Sequence, residues 1–311
     1  MLDTHHSFWN RWAADYQAFS ETIEPYRAAQ RALAENVVAA WGEAARQPTV
    51  TILDAGGGAG NLIQPLLAAL EQRRGSLAGV RYTLTDGAKD MTMRAEDRAP
   101  QLRRLFPDVA LNILHKDTLS ADFDPGHGED LADLVVSSWN IEYYPPDLRL
   151  AIVQRLVQLA KPAGVVAFSS MVELPAPLTL RGILMPLGQA QVVQALLTGG
   201  PRQMRVVIAS LRRIAEFGAA ATASDFPAKP TLVELKGLAT QAGLGAATAE
   251  YHLFGTSVMV LARKDGAPLP ALPHGPISAQ LFGRPGYEGP REKATFGSYL
   301  RDLLRQPPVI G

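Results

Sequence analysis

The sequence predicts an α/β fold: a largely parallel sheet of seven strands, helices on both faces, and a helical lid inserted late in the chain. Two observations carry this. Between about Val50 and Lys264, short apolar runs alternate with segments of helical period, the rhythm of βαβ units. The first of those runs leads into Asp54-Ala-Gly56-Gly57-Gly58-Ala-Gly60, a tight turn where a strand hands over to a helix. Composition agrees: 47% of the 311 residues are hydrophobic and 19% charged, ample apolar material for a core.

Each element has its own signal. Thr49–Leu53 reads as the first strand, after Pro48, and Gly60–Glu71 as the helix behind it, with Leu62, Ile63, Leu66, Leu67 and Leu70 on one side. Val80–Thr85 is a second strand, Lys89–Arg98 a second helix, and Leu111–His115 a third strand beyond the Pro107-Asp108 turn. Leu134–Ser137 is the fourth strand. Asp147 is the expected N-cap of the next helix, whose inner stripe is Leu148, Ile152, Leu156 and Leu159 and whose stop is Lys161-Pro162. Val165–Phe168 is the fifth strand. Thr231-Leu-Val-Glu234 is a capping box that opens a helix ending at Gly243. Segments 250–254 and 257–262 read as a closing hairpin around Gly255.

Three parts lie outside this rhythm, so the expected organisation is residues 1–47 as an N-terminal helical cap, 48–264 as the main domain with a lid insertion at 172–230, and 265–311 as a Pro/Gly-rich extension. The cap sets Trp9, Trp12, Tyr16, Phe19 and Tyr26 among polar residues. In the insertion, Pro201–Phe217 reads as a helix with Met204, Val207, Ile208, Leu211, Ile214 and Ala215 on one side and Arg202, Arg205, Arg212 and Arg213 on the other. Net charge is +0, so no global field favours nucleic acid. The absence of Cys excludes disulfides, thiolate nucleophiles and Cys-bound zinc. The start lacks the pattern of a signal peptide, and no apolar run reaches the ~18 residues of a bilayer span, so a cytoplasmic protein is expected.

The glycine loop sits at the carboxyl edge of the sheet, where open α/β folds bind ligands. Glycine turns also serve plain strand-to-helix packing, so the loop alone is a weak signal. It gains weight from the acids that follow successive strands: Asp86 ends the second, where a carboxylate can accept both ribose hydroxyls, and Asp117 with Thr118 follows the third. A dinucleotide fingerprint fails, because the third glycine, Gly60, comes too early and Asp86 lies farther than roughly 20 residues on. No Gly-Lys-Ser/Thr follows, which excludes a P-loop.

These motifs resemble the class I S-adenosylmethionine-dependent methyltransferases of the small-molecule kind, such as those of quinone and lipid biosynthesis. Ile52–Gly60 looks like their first motif and Leu84–Met91 their second. His115-Lys-Asp117-Thr118 is similar to the adenine-contacting motif, and Asp133–Ser138 and Ala163–Phe168 to those of the fourth and fifth strands. The resemblance spans roughly 49–264 and implies a Rossmann-like fold with S-adenosylmethionine as cofactor. It implies that Asp54, Gly56, Gly57, Gly58 and Gly60 line the amino-acid part of the cofactor, Asp86 with Gly87 and Met91 the ribose side, and Asp117 with Thr118 the adenine, with Ser138 also at the site. Tyr16, in Trp12-Ala-Ala-Asp15-Tyr16, looks like part of a segment that closes over the cofactor.

Past the fourth strand, Ser138-Trp139-Asn140-Ile-Glu142-Tyr143-Tyr144 holds the candidate catalytic residues: Glu142 as base, with Asn140 and Tyr143 orienting an acceptor. Many relatives carry His where Glu142 stands, and the same segment reads equally as a polar loop ahead of a helix. No metal is expected, since the six His are scattered. The expected partner is a small, apolar acceptor methylated at O, C or N, and not nucleic acid. The lid either packs its apolar side over the site with its Arg side in water, or meets an anionic membrane through 201–217. Cyclisation or cyclopropanation on the same fold, or a non-catalytic binding protein, are the alternatives.

Overall fold

The computed structural model describes residues 2–22, 24–118, 120, 123, 131–172, 200–202, 204–209, 212, 228–245, 247–252 and 257–273. Helices α1 (Leu2–Thr22) and α2 (Glu24–Trp41) come first, then β1 (Val50–Ala55), α3 (Ile63–Arg74), β2 (Val80–Asp86), α4 (Lys89–Leu105) and β3 (Ala110–His115). The chain continues with β4 (Ala132–Ser137), α5 (Pro146–Leu159), β5 (Ala160–Met171), α6 (Leu232–Gln241), β6 (Thr248–His252) and β7 (Ser257–Arg263).

The seven strands form one sheet in the order β3-β2-β1-β4-β5-β7-β6. Six strands run in one direction, and β7 alone is reversed, pairing antiparallel with both β5 and β6; β6 and β7 are the closing pair expected from the sequence. From β1 the chain winds outward to β3 and then returns to the other side of β1, so the order reverses between the paired strands β1 and β4, the place where such sheets bind ligands at their carboxyl edge. Alternation along the strands separates two cores. Val50, Ile52, Leu134, Val136, Val165 and Ala167 pack with α2, α3 and α4, whereas Leu53, Val135, Val166 and Phe168 pack with α5 and α6. Helix α1 belongs to neither. Its Phe8, Trp9 and Ala13 pack on Ala59, Ala88 and Met91, over the loops at the carboxyl edge.

Several sequence expectations shift. Helix α3 starts at Ile63 rather than Gly60, because residues 58–62 are spent in turns. Helix α4 runs through Pro100 to Leu105: burial of Ala99 and Leu102 offsets the amide hydrogen that proline lacks. Asp147 is not the N-cap of α5. Pro145 holds that position, Pro146 opens the first turn with its preset φ, and Asp147 lies inside that turn. The helix ends at Leu159 and Lys161-Pro162 already belongs to β5, where the Lys161 ammonium donates to both carboxylate oxygens of Asp133 at 2.9 and 2.8 Å. The capping box is half formed: Thr231 Oγ1 accepts from Glu234 N (3.1 Å), but the Glu234 carboxylate is drawn to Arg149 instead. In the insertion, residues 204–209 are helical, with Val207 buried and Arg202, Arg205 and Arg212 exposed. Leu211, residues 213–218, Gly255 and 274–311 lie outside the described residues. Among the described residues no helix is long and apolar enough to cross a membrane.

Candidate functional site

The glycine loop is tied to the neighbouring strand before any ligand is considered. Gly56 N and Gly57 N both donate to Thr85 O, at 2.8 and 3.0 Å. Asp86 completes the tie: one carboxylate oxygen accepts from Gly58 N (2.9 Å) and the other from Ala88 N (2.7 Å). Gly56 has φ +69, and a Cβ there would stand 2.1 Å from Asn140 Nδ2, so a side chain would strain the backbone and displace Asn140. Asp54 is fully buried. One of its oxygens accepts from the Tyr82 hydroxyl at 2.8 Å, while the other has no partner among the described residues. Burial raises its pKa to about 7, against the Tyr82 hydrogen bond and with a further push from the Asp86 charge.

Facing the loop is the segment that leaves β4. Trp139 takes a left-handed backbone conformation (φ 48), and its amide donates to Ser169 Oγ on β5 at 2.8 Å. Asn140 Nδ2 donates to Ser137 Oγ (3.2 Å). Glu142, in a short 3-10 turn at Ile141–Tyr143, is buried to 2% exposure. Its carboxyl is pushed up to about 7 by burial. The Glu142 and Met171 amides, the Lys229 ammonium and the Ser170 hydroxyl offset part of that, yet neither carboxylate oxygen makes a hydrogen bond of ordinary geometry among the described residues.

A single cavity joins these parts. From the glycine loop side it is lined by Asp54, Gly56, Gly57, Gly58, Asp86, Gly87, Met91, Asp117 and Thr118, and from the β4 side by Ser138, Trp139, Asn140, Tyr143 and Tyr144. Tyr16 of α1 lines it too. Two of the residues expected from the sequence are not on its wall. Gly60 turns the chain toward α3, where a Cβ would meet Ile63 Cδ1 at 2.8 Å, and Glu142 is not among the lining residues although Tyr143 beside it is.

The wall also holds Trp9, Tyr26, Gln30 and Asn61, which sequence reasoning did not assign to the site. The Tyr16 and Tyr26 hydroxyls are hydrogen-bonded at 2.6 Å and Gln30 Nε2 donates to Tyr26 at 2.9 Å. Burial raises the pKa of both phenols, so both stay protonated. Trp9 meets Tyr143 and Tyr16 edge-on, with centroids 4.8 and 5.3 Å apart. Asn61 Oδ1 accepts from Ser20 Oγ (3.0 Å) and from Arg98 (2.9 Å), and Arg98 also donates to Ala59 O (3.0 Å), which staples α1 and α4 to the loop. The aromatic spacing in α1 was the available signal for Trp9. Gln30 and Asn61 carried none, since a polar residue turned inward looks like any other.

No family model matches the chain. It is 30% identical over 101 residues to the carboxy-S-adenosyl-L-methionine synthase of Chromohalobacter salexigens, a match covering 32% of this chain. The chain thus spans about a third (35%) of the length of that curated relative. Among solved structures it is similar to the magnesium protoporphyrin IX methyltransferase of Synechocystis with bound S-adenosylhomocysteine, with a TM-score of 0.51 and 15% identity, over 85% of this chain and 100% of that one. Human N-acetylserotonin methyltransferase in complex with S-adenosylmethionine superposes with a TM-score of 0.44 and 16% identity, over 74% of this chain and 51% of that one. The chain has the fold of the class I S-adenosylmethionine-dependent methyltransferases.

Proposed function

We propose that the chain is an S-adenosylmethionine-dependent methyltransferase that acts on a small, rather apolar acceptor. What supports this most is the meeting, at one cavity, of the glycine loop, Asp86, the Asp117-Thr118 pair and the segment leaving β4. The lining fits the cofactor. Asp54 Oδ1 and Ser138 Oγ are buried without partners among the described residues, and a ligand carrying an amino and a carboxylate group satisfies such atoms. Asp86, which accepts the Gly58 and Ala88 amides, lines the same cavity, and a carboxylate there is suited to accepting ribose hydroxyls.

When bound, the cofactor supplies an electrophilic sulfonium methyl. The chain's part is then to align a nucleophile with it and to exclude water. In this reading Asp54, Gly56, Gly57, Gly58 and Ser138 hold the amino-acid end, Asp86, Gly87 and Met91 the ribose side, and Asp117 and Thr118 the adenine. Trp9 and Tyr16 of α1 cover the cavity, and Asn140 and Tyr143 orient the acceptor. A carboxyl with a pKa near 7 is matched to taking a proton at neutral pH, and Glu142, next to the lining residue Tyr143, is the candidate for that role. Residues 1–47 act as the cap, 48–264 as the catalytic domain with 172–230 as its lid, and 265–311 as an extension.

Calorimetric titration with S-adenosylhomocysteine tests the reading. Saturable binding near one equivalent is expected, and incubation with methyl-labelled S-adenosylmethionine and a panel of small acceptors then identifies the product. An absence of heat or competition at millimolar ligand would refute it.

A further inference from the structure

We propose that Trp139 selects the acceptor, and that the acceptor is a planar, uncharged ring bearing an oxygen. This rests on the methyltransferase reading above and deepens it. Among the described residues Trp139 is the one non-glycine residue with a positive φ, a conformation that a bulky side chain avoids unless its surroundings hold it there. The hold is visible: its amide donates to Ser169 Oγ at 2.8 Å, and its ring lies over Tyr26 with centroids 5.0 Å apart and planes 35° apart. The result is an indole that lines the cavity, is 8% exposed, and has its Nε1–H buried without a partner among the described residues.

That donor is informative about what enters. Indole N–H donates and never accepts, so an ammonium or amine cation would leave it unsatisfied, whereas a hydroxyl or carbonyl oxygen pairs with it. The Tyr16 and Tyr26 hydroxyls are engaged with each other and with Gln30. The same cavity is lined by the rings of Trp9, Tyr16, Tyr26 and Tyr143, of which Tyr26 meets Trp139 directly and Trp9 meets Tyr16 and Tyr143 edge-on, and these rings suit a flat aromatic guest. No Lys or Arg is among the lining residues, and the acids there are Asp54, Asp86 and Asp117, so an anionic acceptor is disfavoured.

The test uses the full chain saturated with S-adenosylhomocysteine and three probes of one shape: 2-naphthol, 2-methylnaphthalene and trimethyl(2-naphthyl)ammonium, titrated by ligand-observed NMR. Naphthol is expected to bind roughly tenfold tighter than methylnaphthalene, the ratio that one buried hydrogen bond supplies. Trp139→Phe removes the donor and is expected to bring that ratio close to one. Ser169→Ala keeps the indole but releases its backbone, and is expected to lower the ratio partway, which decides the matter if Trp139→Phe does not fold. The proposal is overturned by a ratio unchanged in either folded variant, by tightest binding of the ammonium probe, or by no aromatic probe binding to a chain that binds S-adenosylhomocysteine. Failure of S-adenosylhomocysteine itself to bind would instead defeat the methyltransferase reading, and this proposal with it.

Discussion

Gly56→Ala, compared with Gly75→Ala, separates the strain of the glycine loop from its packing. Both glycines are left-handed, at φ +69 and +78, so both variants incur the conformational penalty of a Cβ, about 1–2 kcal/mol, less the gain from a stiffer unfolded chain of about 0.4–1 kcal/mol. At Gly75, the cap of α3, a Cβ meets nothing within 4 Å, and the net loss is expected to be about 1 kcal/mol or less. At Gly56 the Cβ would stand 2.1 Å from Asn140 Nδ2 and 2.6 Å from its Cγ. Asn140 can rotate away only by giving up its 3.2 Å bond to Ser137 Oγ, worth roughly another 1 kcal/mol. Gly56→Ala should therefore lose about 2 kcal/mol in urea unfolding, clearly more than its partner variant. It should also weaken S-adenosylhomocysteine binding at least tenfold, while Gly75→Ala binds as the native chain does. Equal stability losses, or an intact affinity in Gly56→Ala, would show that the loop is not packed against Asn140 as described.

Three further outcomes follow from other parts of the molecule. Arg149, buried to 1% exposure, donates to Tyr144 O (3.0 Å), to Glu234 (2.8 Å) and to Ala228 O. Arg149→Met should cost about 2–3 kcal/mol by denaturant titration, with Glu234, 35% exposed, free to rehydrate, and Glu234→Gln about 1–3 kcal/mol, because it leaves the buried guanidinium charge without its carboxylate. Asp54 and Glu142 have pKa values raised to about 7 by burial, so the folded chain holds protons that the unfolded chain releases above about 4. Their stabilisation is complete below that point and is lost as pH rises toward 7, at up to about 1.4 kcal/mol per pH unit for each group. Urea midpoints at pH 5, 6, 7 and 8 should fall accordingly, and Asp54→Asn should flatten the slope; an unaltered slope would contradict the burial of that carboxyl. Asp86→Ala removes the acceptor of both Gly58 N and Ala88 N and should raise the S-adenosylhomocysteine dissociation constant at least tenfold by calorimetry, with a neutral result excluding Asp86 from the site.

The sheet and its glycine loop were legible because their signals are local. Short apolar runs at Thr49–Leu53 and Val165–Phe168, a strand running into Gly56–Gly60, and acids at Asp86 and Asp117 are all read within a few residues. Helix ends were less legible: Pro100 lies inside α4 because burial of Leu102 overrides it, and Pro145-Pro146 opens α5 where Asp147 had looked like the cap. The contacts that shape the acceptor side are long-range and left no mark in the sequence. Arg149 reaches Glu234 across 85 positions, Arg98 reaches Asn61 across 37, and the positive φ of Trp139 depends on Ser169 in another strand. Glu142 shows the limit of motif reading. Its place after β4 was anticipated, whereas its burial off the cavity wall depends on packing against β5 and Lys229.

The most direct measurement is a crystal structure of the chain grown with S-adenosylhomocysteine. The expected map places the ribose hydroxyls within hydrogen-bonding distance of the Asp86 carboxylate, the adenine beside Asp117 and Thr118, and the sulfur facing Trp139 and Tyr143. Density for the ligand in the adjoining cavity between α1, α2 and α3, lined by Arg27, Arg31 and Gln72, or a ribose remote from Asp86, would contradict the assignment of the glycine-loop cavity as the cofactor site.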